Sequence, residues 1–325
     1  MHAYDFVATN SVDRALKLAN PDSAFLAGGT TLVDLMKLDV MTPRHVIDIN
    51  GLDLCGITAN HNGLRIGAMA RMSDVANHSE VANRYPMLTQ ALLLSASGQI
   101  RNMASVGGNL LQRTRCDYFR DVRTPCNKRE PGSGCPAQTG ENRNHAILGT
   151  STACVATHPS DLAVALVALG ASVRLRGREG VRQVPLDQFY RLPGDTPHLE
   201  NQLRPGELIT EVLVPALSWA RRSTYLKIRD RSSYEFALTS VAVALDLRDG
   251  TVHNARIAVG GVGARPWRLP AVEDALRQHR PTADHVQAAA ARAAEGARPL
   301  AHNGFKVTLM QRTITRAVLN LAGRR

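Results

Sequence analysis

Apolar positions along the chain change their period several times, and each change marks an element. Ser11 is placed to cap a helix running to about Ala19, Ser23–Ala27 reads as a short buried strand, and Leu32–Leu38 has helical spacing. His45–Ile49 is a second apolar strand. Strands alternating with helices predict a parallel sheet with helices packed on it. Leu64–Gly67 predicts another strand, Ser73 caps a short helix, and Pro86 opens a helix to about Ala96. From Gln112 to about Thr152 the hydrophobic period disappears. A loop of that length inside a compact domain needs something else to organise it. Order returns at Ser160-Asp161, which cap the apolar helix Leu162–Leu169.

After Pro215 the pattern changes again. Phe236–Leu247 and Thr251–Val259 alternate around Asp249-Gly250, a hairpin signal. Helices are predicted near Ala271–Gln278 and His285–Glu295, and across Phe305–Leu321, where Val307, Met310, Ile314, Val318 and Leu321 share one face. The expected organisation is an α/β subdomain over 1–58, a second over 59–216 with an insertion at about 112–157, and a C-terminal α+β domain over 217–325.

Composition narrows the function classes. The 325 residues are 44% hydrophobic and 21% charged, as in an ordinary globular protein, and too many for a single core. No apolar run approaches the ~20 residues of a membrane span, and the N-terminus lacks the basic and apolar regions of an export signal. Aromatics are 4%, which disfavours nucleic-acid binding on stacking platforms. The net charge of +11 is spread along the chain, which suits docking to acidic protein surfaces better than a nucleic-acid partner.

Three motifs carry candidate chemistry. In Leu26-Ala27-Gly28-Gly29-Thr30-Thr31-Leu32 a strand ends, two glycines turn, and a helix begins. Backbone N–H groups in such a turn converge on an anion. It is neither GxGxxG nor a P-loop, and a Gly-Gly pair alone is also compatible with a plain turn. Ser105-Val106-Gly107-Gly108-Asn109 repeats the logic, so the two turns together suit the two phosphates of a dinucleotide. Asp161 would accept hydrogen bonds from a ribose or amide, or serve only as a helix cap. The third motif is Cys116, Cys126, Cys135 and Cys154, spaced Cys-x9-Cys-x8-Cys-x18-Cys. A zinc knuckle with two to four intervening residues is absent, and an odd cysteine total argues against a disulfide scaffold. Long irregular spacing suits a 4Fe–4S cube better than zinc, which stays as the alternative, with His145 and His158 as substitute ligands. The fifth cysteine, Cys55, reads as a buried small hydrophobe.

These turns, together with His158-Pro159-Ser160-Asp161-Leu162, Glu207-Leu208-Ile209 before Pro215, and Gly260-Gly261-Val262 before Pro266, resemble the FAD-binding subunits of the xanthine dehydrogenase family of molybdenum hydroxylases. The resemblance implies the two-lobed FAD-binding fold of the vanillyl-alcohol oxidase and CO dehydrogenase flavoprotein type. In the common family pattern the Gly-Gly-Asn turn runs within about ten residues into the Ser-Asp-Leu helix; here about forty intervene and hold the four cysteines. That departure looks like bacterial aldehyde oxidoreductases, often periplasmic, whose flavin subunit carries an extra 4Fe–4S cluster. Leu111–Cys116 and Pro131–Cys135 look like that insert. The flavin subunit of hydroxybenzoyl-CoA reductase is the alternative within the family. A zinc-stapled basic binding module and a stand-alone flavoenzyme are the alternatives outside it.

The resemblance also implies residue roles. Leu26, Ala27, Gly28, Gly29, Thr30, Thr31 and Leu32 would cradle the FAD pyrophosphate. Ser105, Gly108, Asn109 and Asp161 would bind phosphate, ribose and adenine-side groups, and Ile209 and Lys227 would lie by the isoalloxazine. No residue of this chain is expected to touch the aldehyde. A molybdopterin-binding large subunit would oxidise it, and a 2Fe–2S small subunit would deliver electrons. The basic stretch Arg113–Arg143 suggests docking of an acidic ferredoxin-like acceptor, or arginines that only pair with nearby acids. Cytoplasmic assembly followed by co-export to the periplasm, with a partner carrying the signal, is the expected location.

Overall fold

The computed structural model describes residues 1–323. Its first sheet is parallel and three-stranded, with Asp5–Ala8 and Ser23–Leu26 flanking His45–Asp48. The crossover helices Val12–Leu18 and Leu32–Lys37 bury Ala15, Leu16, Leu35 and Met36. This is the alternation read from the sequence. Ser11 caps the first helix through Arg14 N–H.

The second sheet departs from the α/β expectation, because it is antiparallel. Its order is Ile57–Asn60, Gly63–Gly67, Leu208–Pro215, Ser172–Gly177 and Gly180–Pro185. Tight turns such as Asn60–Gly63 connect neighbouring strands, and a two-residue connection forces the antiparallel sense. The third sheet, also antiparallel, runs Trp267–Arg268, Thr251–Gly260, Thr239–Arg248 and Ser223–Ile228. Asp249 (φ 49°) and Gly250 (φ 75°) form its central hairpin turn, with Arg248 paired to Thr251. Helices Pro270–Leu276, Ala283–Ala291 and Phe305–Leu321 cover one face, and Met310, Ile314 and Val318 point into that core.

Helix Asp161–Ala168 is buried on every side. It packs against helix Pro86–Leu93 and against both long strands of the third sheet. Gly260 lets it approach: a Cβ there would lie 2.5 Å from Val164 Cγ2. Among the described residues no helix is long and apolar enough to cross a membrane.

The insertion is not an appendage of one subdomain. Phe119, Cys116 and Cys126 pack with Leu35, Leu38 and Met41 of the first lobe. Ile147 and Leu148 sit in the C-terminal core, where both amides donate to Val262 O. Short helices at Asp117–Arg120 and Pro136–Gln138 interrupt what the sequence read as featureless loop. Cys55 corrects its expectation, since it is exposed. Its neighbours Leu52 and Leu54 take the inward positions instead.

Candidate functional site

The first glycine segment is a turn between strand Ser23–Leu26 and helix Leu32–Lys37. Gly29 has φ 72°, a conformation that costs a side chain about 1–2 kcal/mol. Gly28 is required for a different reason. A Cβ there would sit 1.9 Å from Met103 O and 2.9 Å from Ala104 Cα, so only glycine lets this turn lie on the chain leading into Ser105. The two glycine segments, 75 residues apart in sequence by the separation of Gly28 and Met103, are thereby in contact. Arg71 fastens them: its guanidinium donates to Met103 O (2.5 Å) and to Asn50 Oδ1 (2.9 Å), and Asn50 Nδ2 donates to Ala27 O (2.9 Å).

The amides of Gly28, Gly29, Thr30 and Thr31 meet no acceptor among the described residues, and these four residues are half-exposed. Unsatisfied N–H groups at the start of a helix are the donors that an anion takes. The second segment differs from the sequence reading. It is not a turn but a five-residue helix, Val106–Leu110, capped by Ser105 Oγ, which accepts from Gly108 N–H at 3.1 Å. Gly107 N–H donates to Ala68 O. Both glycine amides are thus spent within the protein. What these glycines supply is closeness, to Ala68 for Gly107 and to the Ser105 hydroxyl for Gly108.

Behind that helix lies a buried polar chain. Asn109 Oδ1 accepts from Ser160 Oγ at 2.6 Å, and Ser160 caps helix Asp161–Ala168 through Ala163 N–H. The cap is Ser160 alone, with Asp161 at the first helical position. Both Asp161 carboxylate oxygens are engaged: Oδ1 by Tyr225 Oη at 2.6 Å, Oδ2 by Lys227 Nζ at 2.8 Å and Ser95 Oγ at 3.1 Å. Burial, then the Asp161 charge, raise the Tyr225 pKa well above its ordinary value, so this phenol stays a donor. Lys227 Nζ also donates to Leu94 O (3.1 Å), which leaves one of its three hydrogens uncommitted. Ile209 is buried in the second sheet, and Ala68 N–H donates to the carbonyl of its neighbour Thr210. The predicted residues therefore gather around the junction of the two glycine segments. Arg71, Asn50, Ser95 and Tyr225 were missed, because their partners are remote in sequence.

The second candidate site is the insertion. Cys116, Cys126, Cys135 and Cys154 are all unbridged, and all four line one small cavity with His145. Its walls are ordered by side chains reaching the backbone. Ser133 Oγ accepts from Cys126 N–H, Asn127 bonds Gly134 N–H and Ala153 O, and Gln138 spans Ser151 O and Thr152 O. Burial pushes the Cys116 thiol up to about 12 and raises Cys135 and Cys154 as well, so without a cation to replace the protons these are thiols. Among the described residues no three His, Cys, Asp or Glu side chains converge on one point as a single metal ion requires.

The basic residues of the insertion are paired, Arg123 and Arg143 at the exposed surface and Arg113, Arg115, Arg120 and Lys128 partly buried. Arg115 and Arg120 pair with Asp34, Arg113 and Lys128 with Glu200, Arg143 with Asp230, and Arg123 with Asp121. Arg129 donates to the carbonyls of Tyr118, Phe119 and Thr124. Asp121 is a nearby acid, as one sequence reading expected, but Asp34, Glu200 and Asp230 lie outside the segment.

Residues 2–217 match the family model described as the FAD binding domain in molybdopterin dehydrogenase, and residues 224–321 match the CO dehydrogenase flavoprotein C-terminal domain. The chain is 47% identical over 318 residues to the aldehyde oxidoreductase FAD-binding subunit PaoB of Escherichia coli strain K12, covering 97% of this chain and 96% of that one. It is 29% identical over 273 residues to the glyceraldehyde dehydrogenase medium chain of Sulfolobus acidocaldarius, covering 83% and 79%. Among solved structures, carbon monoxide dehydrogenase from Hydrogenophaga pseudoflava superposes with a TM-score of 0.76 at 28% identity, over 99% of this chain and 98% of that one. Quinoline 2-oxidoreductase from Pseudomonas putida 86 shares the fold, with a TM-score of 0.77 at 22% identity, over 99% and 98%.

Proposed function

We propose that this chain, which belongs to the FAD-binding subunits of the molybdenum hydroxylase family, holds FAD at its paired glycine segments and a 4Fe–4S cluster among Cys116, Cys126, Cys135 and Cys154. In this reading it is the electron-transfer subunit of an aldehyde-oxidising enzyme. A molybdopterin-binding large subunit and a 2Fe–2S small subunit complete the complex, and electrons leave to an external acceptor. The likeness to an aldehyde oxidoreductase flavin subunit over nearly the full length supports the aldehyde class.

Bound FAD supplies a centre that takes electrons singly and releases them singly or in pairs, and the cluster supplies a one-electron centre. The chain's own residues provide the rest. The free amides of Gly28 to Thr31 would face the pyrophosphate, with Leu26, Ala27 and Leu32 setting the turn. Ser105, Gly108 and Asn109 would line its other side. Asp161 would act by holding Lys227 and Tyr225 in place, since its own oxygens are filled. The remaining Lys227 hydrogen would donate toward the isoalloxazine, beside Ile209. Cys116, Cys126, Cys135 and Cys154 would hold the cluster as thiolates, their protons leaving to solvent as iron takes their place.

The observation that carries the cluster reading is that four unbridged cysteines, spread over a 39-residue stretch, line one cavity. It is tested by replacing Cys126 with Ser in the assembled complex and measuring iron and FAD. Loss of iron from this chain with FAD retained is expected. Four irons per chain in the variant would reject Cys126 as a ligand.

A further inference from the structure

The cavity of the four cysteines has one more polar wall. His145 is 7% exposed, and its Nε2 lies 3.2 Å from Cys116 Sγ. Its other ring nitrogen, Nδ1, is buried with no hydrogen-bond partner. A neutral imidazole carries one ring proton. On Nδ1 that proton would make a buried, unpaired N–H; on Nε2 it leaves only an unpaired lone pair, the less costly defect. Once Cys116 is a metal-bound thiolate its sulfur can only accept. The Nε2–H is then the donor aimed at it.

The ring is held there from outside the insertion. His145 N–H donates to Asn142 O, closing a tight turn. Its carbonyl accepts from Lys306 Nζ at 3.1 Å and Asn303 Nδ2 at 3.3 Å, both in the C-terminal lobe. Lys306 is itself fully buried, and Nζ also donates to Gly261 O at 2.8 Å. Cys116, by contrast, is fixed at the start of helix Asp117–Arg120. The His145–Cys116 contact therefore joins two separately anchored parts of the chain.

We infer that His145 is a positioning residue for the cluster, its Nε2–H donating to the Cys116 thiolate and favouring the reduced state. This rests on the cluster reading given above. Reduction adds one electron from the partner subunit to the iron–thiolate unit; no bond breaks, and the proton stays on Nε2. A hydrogen bond donated to a ligand sulfur stabilises the more negative state and raises the potential.

The test uses the assembled complex, prepared anaerobically, with His145→Leu to remove the donor at similar volume and His145→Gln to restore an N–H. Iron is measured first, then the potential of the cluster by EPR-monitored titration. Full iron is expected in all three proteins. At a fixed ambient potential the Leu variant should show a roughly tenfold lower ratio of reduced to oxidised cluster, equal to ~59 mV for one electron, and Gln should recover most of it. An unchanged potential in an iron-replete Leu variant overturns the inference. So does loss of iron from His145→Leu alongside its retention in Cys116→Ser, which would make His145 a ligand. If His145→Leu does not fold, the wild-type complex labelled with 15N-histidine decides: a weak coupling from one nitrogen to the reduced cluster is expected, and none overturns it. Wild-type complex without iron in this chain would remove the cluster reading itself.

Discussion

Arg120, in the cysteine insertion, grips Asp34 with both arms of its guanidinium, at 2.8 and 3.0 Å. Asp34 stands on helix Leu32–Lys37, which begins directly after the Gly28–Thr31 turn. Arg115 reaches the same carboxylate at 3.3 Å. The segment proposed to hold the cluster is thereby fastened to the element that sets the proposed pyrophosphate turn.

Asp34→Asn should loosen the insertion without unfolding the chain, and limited proteolysis should cut within residues 112–157 faster than in the parent. The Arg120 hydrogen bonds hold the Asp34 pKa below its ordinary 3.8. A depressed carboxylate stabilises the fold above its unfolded pKa, and that contribution is lost as pH falls below about 4. The parent should therefore approach the variant's sensitivity at low pH. Equal cleavage rates at neutral pH would show that the other contacts of the insertion hold it without the Asp34 pairs.

Gly28 and Gly29 should respond differently to alanine. Gly28→Ala places a carbon within 1.9 Å of a carbonyl oxygen, so the glycine segments must separate and FAD retention should fall severely. Gly29→Ala has a nearest contact of 3.3 Å and pays mainly the left-handed backbone cost, about 1–2 kcal/mol. FAD content per chain of the two purified variants measures this. Full occupancy in Gly28→Ala would mean that the contact with Met103 can open without consequence.

Lys227→Met should destabilise the chain by about 3–5 kcal/mol, because it strands the buried Asp161 carboxylate with two neutral partners. Adding Asp161→Asn to it should recover part of the loss. Denaturation midpoints of the two single variants and the double variant supply the cycle. Strictly additive losses would mean that the pair contributes through separate contacts.

His158 should shape the acid limb of stability. Its ring packs edge-on to Tyr190, its Nδ1 accepts from Ser160 N–H, and burial lowers its pKa to about 3. The unfolded chain binds the proton near pH 6.5, so stability is full above that value and declines as pH falls toward 3. His158→Gln should flatten this part of the curve, read from thermal midpoints between pH 7 and 4. An unchanged slope would place the acid sensitivity elsewhere.

Much of this arrangement was written locally in the sequence. Asp249-Gly250 specified its hairpin, the apolar spacing from Val307 to Leu321 specified the last helix, and Gly28-Gly29 marked a turn. The grouping of four cysteines in an aperiodic stretch also stood out. What was hidden depends on contacts between distant residues. The strands Ser172–Gly177 and Gly180–Pro185 carry arginines at positions 174, 176 and 182 that pair with Glu211, Asp13 and Glu207, so their pattern did not read as a sheet. Gly107 and Gly108 looked like a turn, but packing on Ala68 and the Ser105 cap make them helical. The insertion's positive charge looked free because Asp34, Glu200 and Asp230 lie far away in sequence.

A flavin and a four-iron centre on one chain leave a direct chemical signature. It is read by anaerobic purification of the native complex, followed by FAD and iron determination after this subunit is separated from its partners. One FAD and four irons are expected on this chain, with flavin bands over a broad iron–sulfur shoulder in the visible spectrum. FAD accompanied by zinc, or by no metal at all, would contradict this.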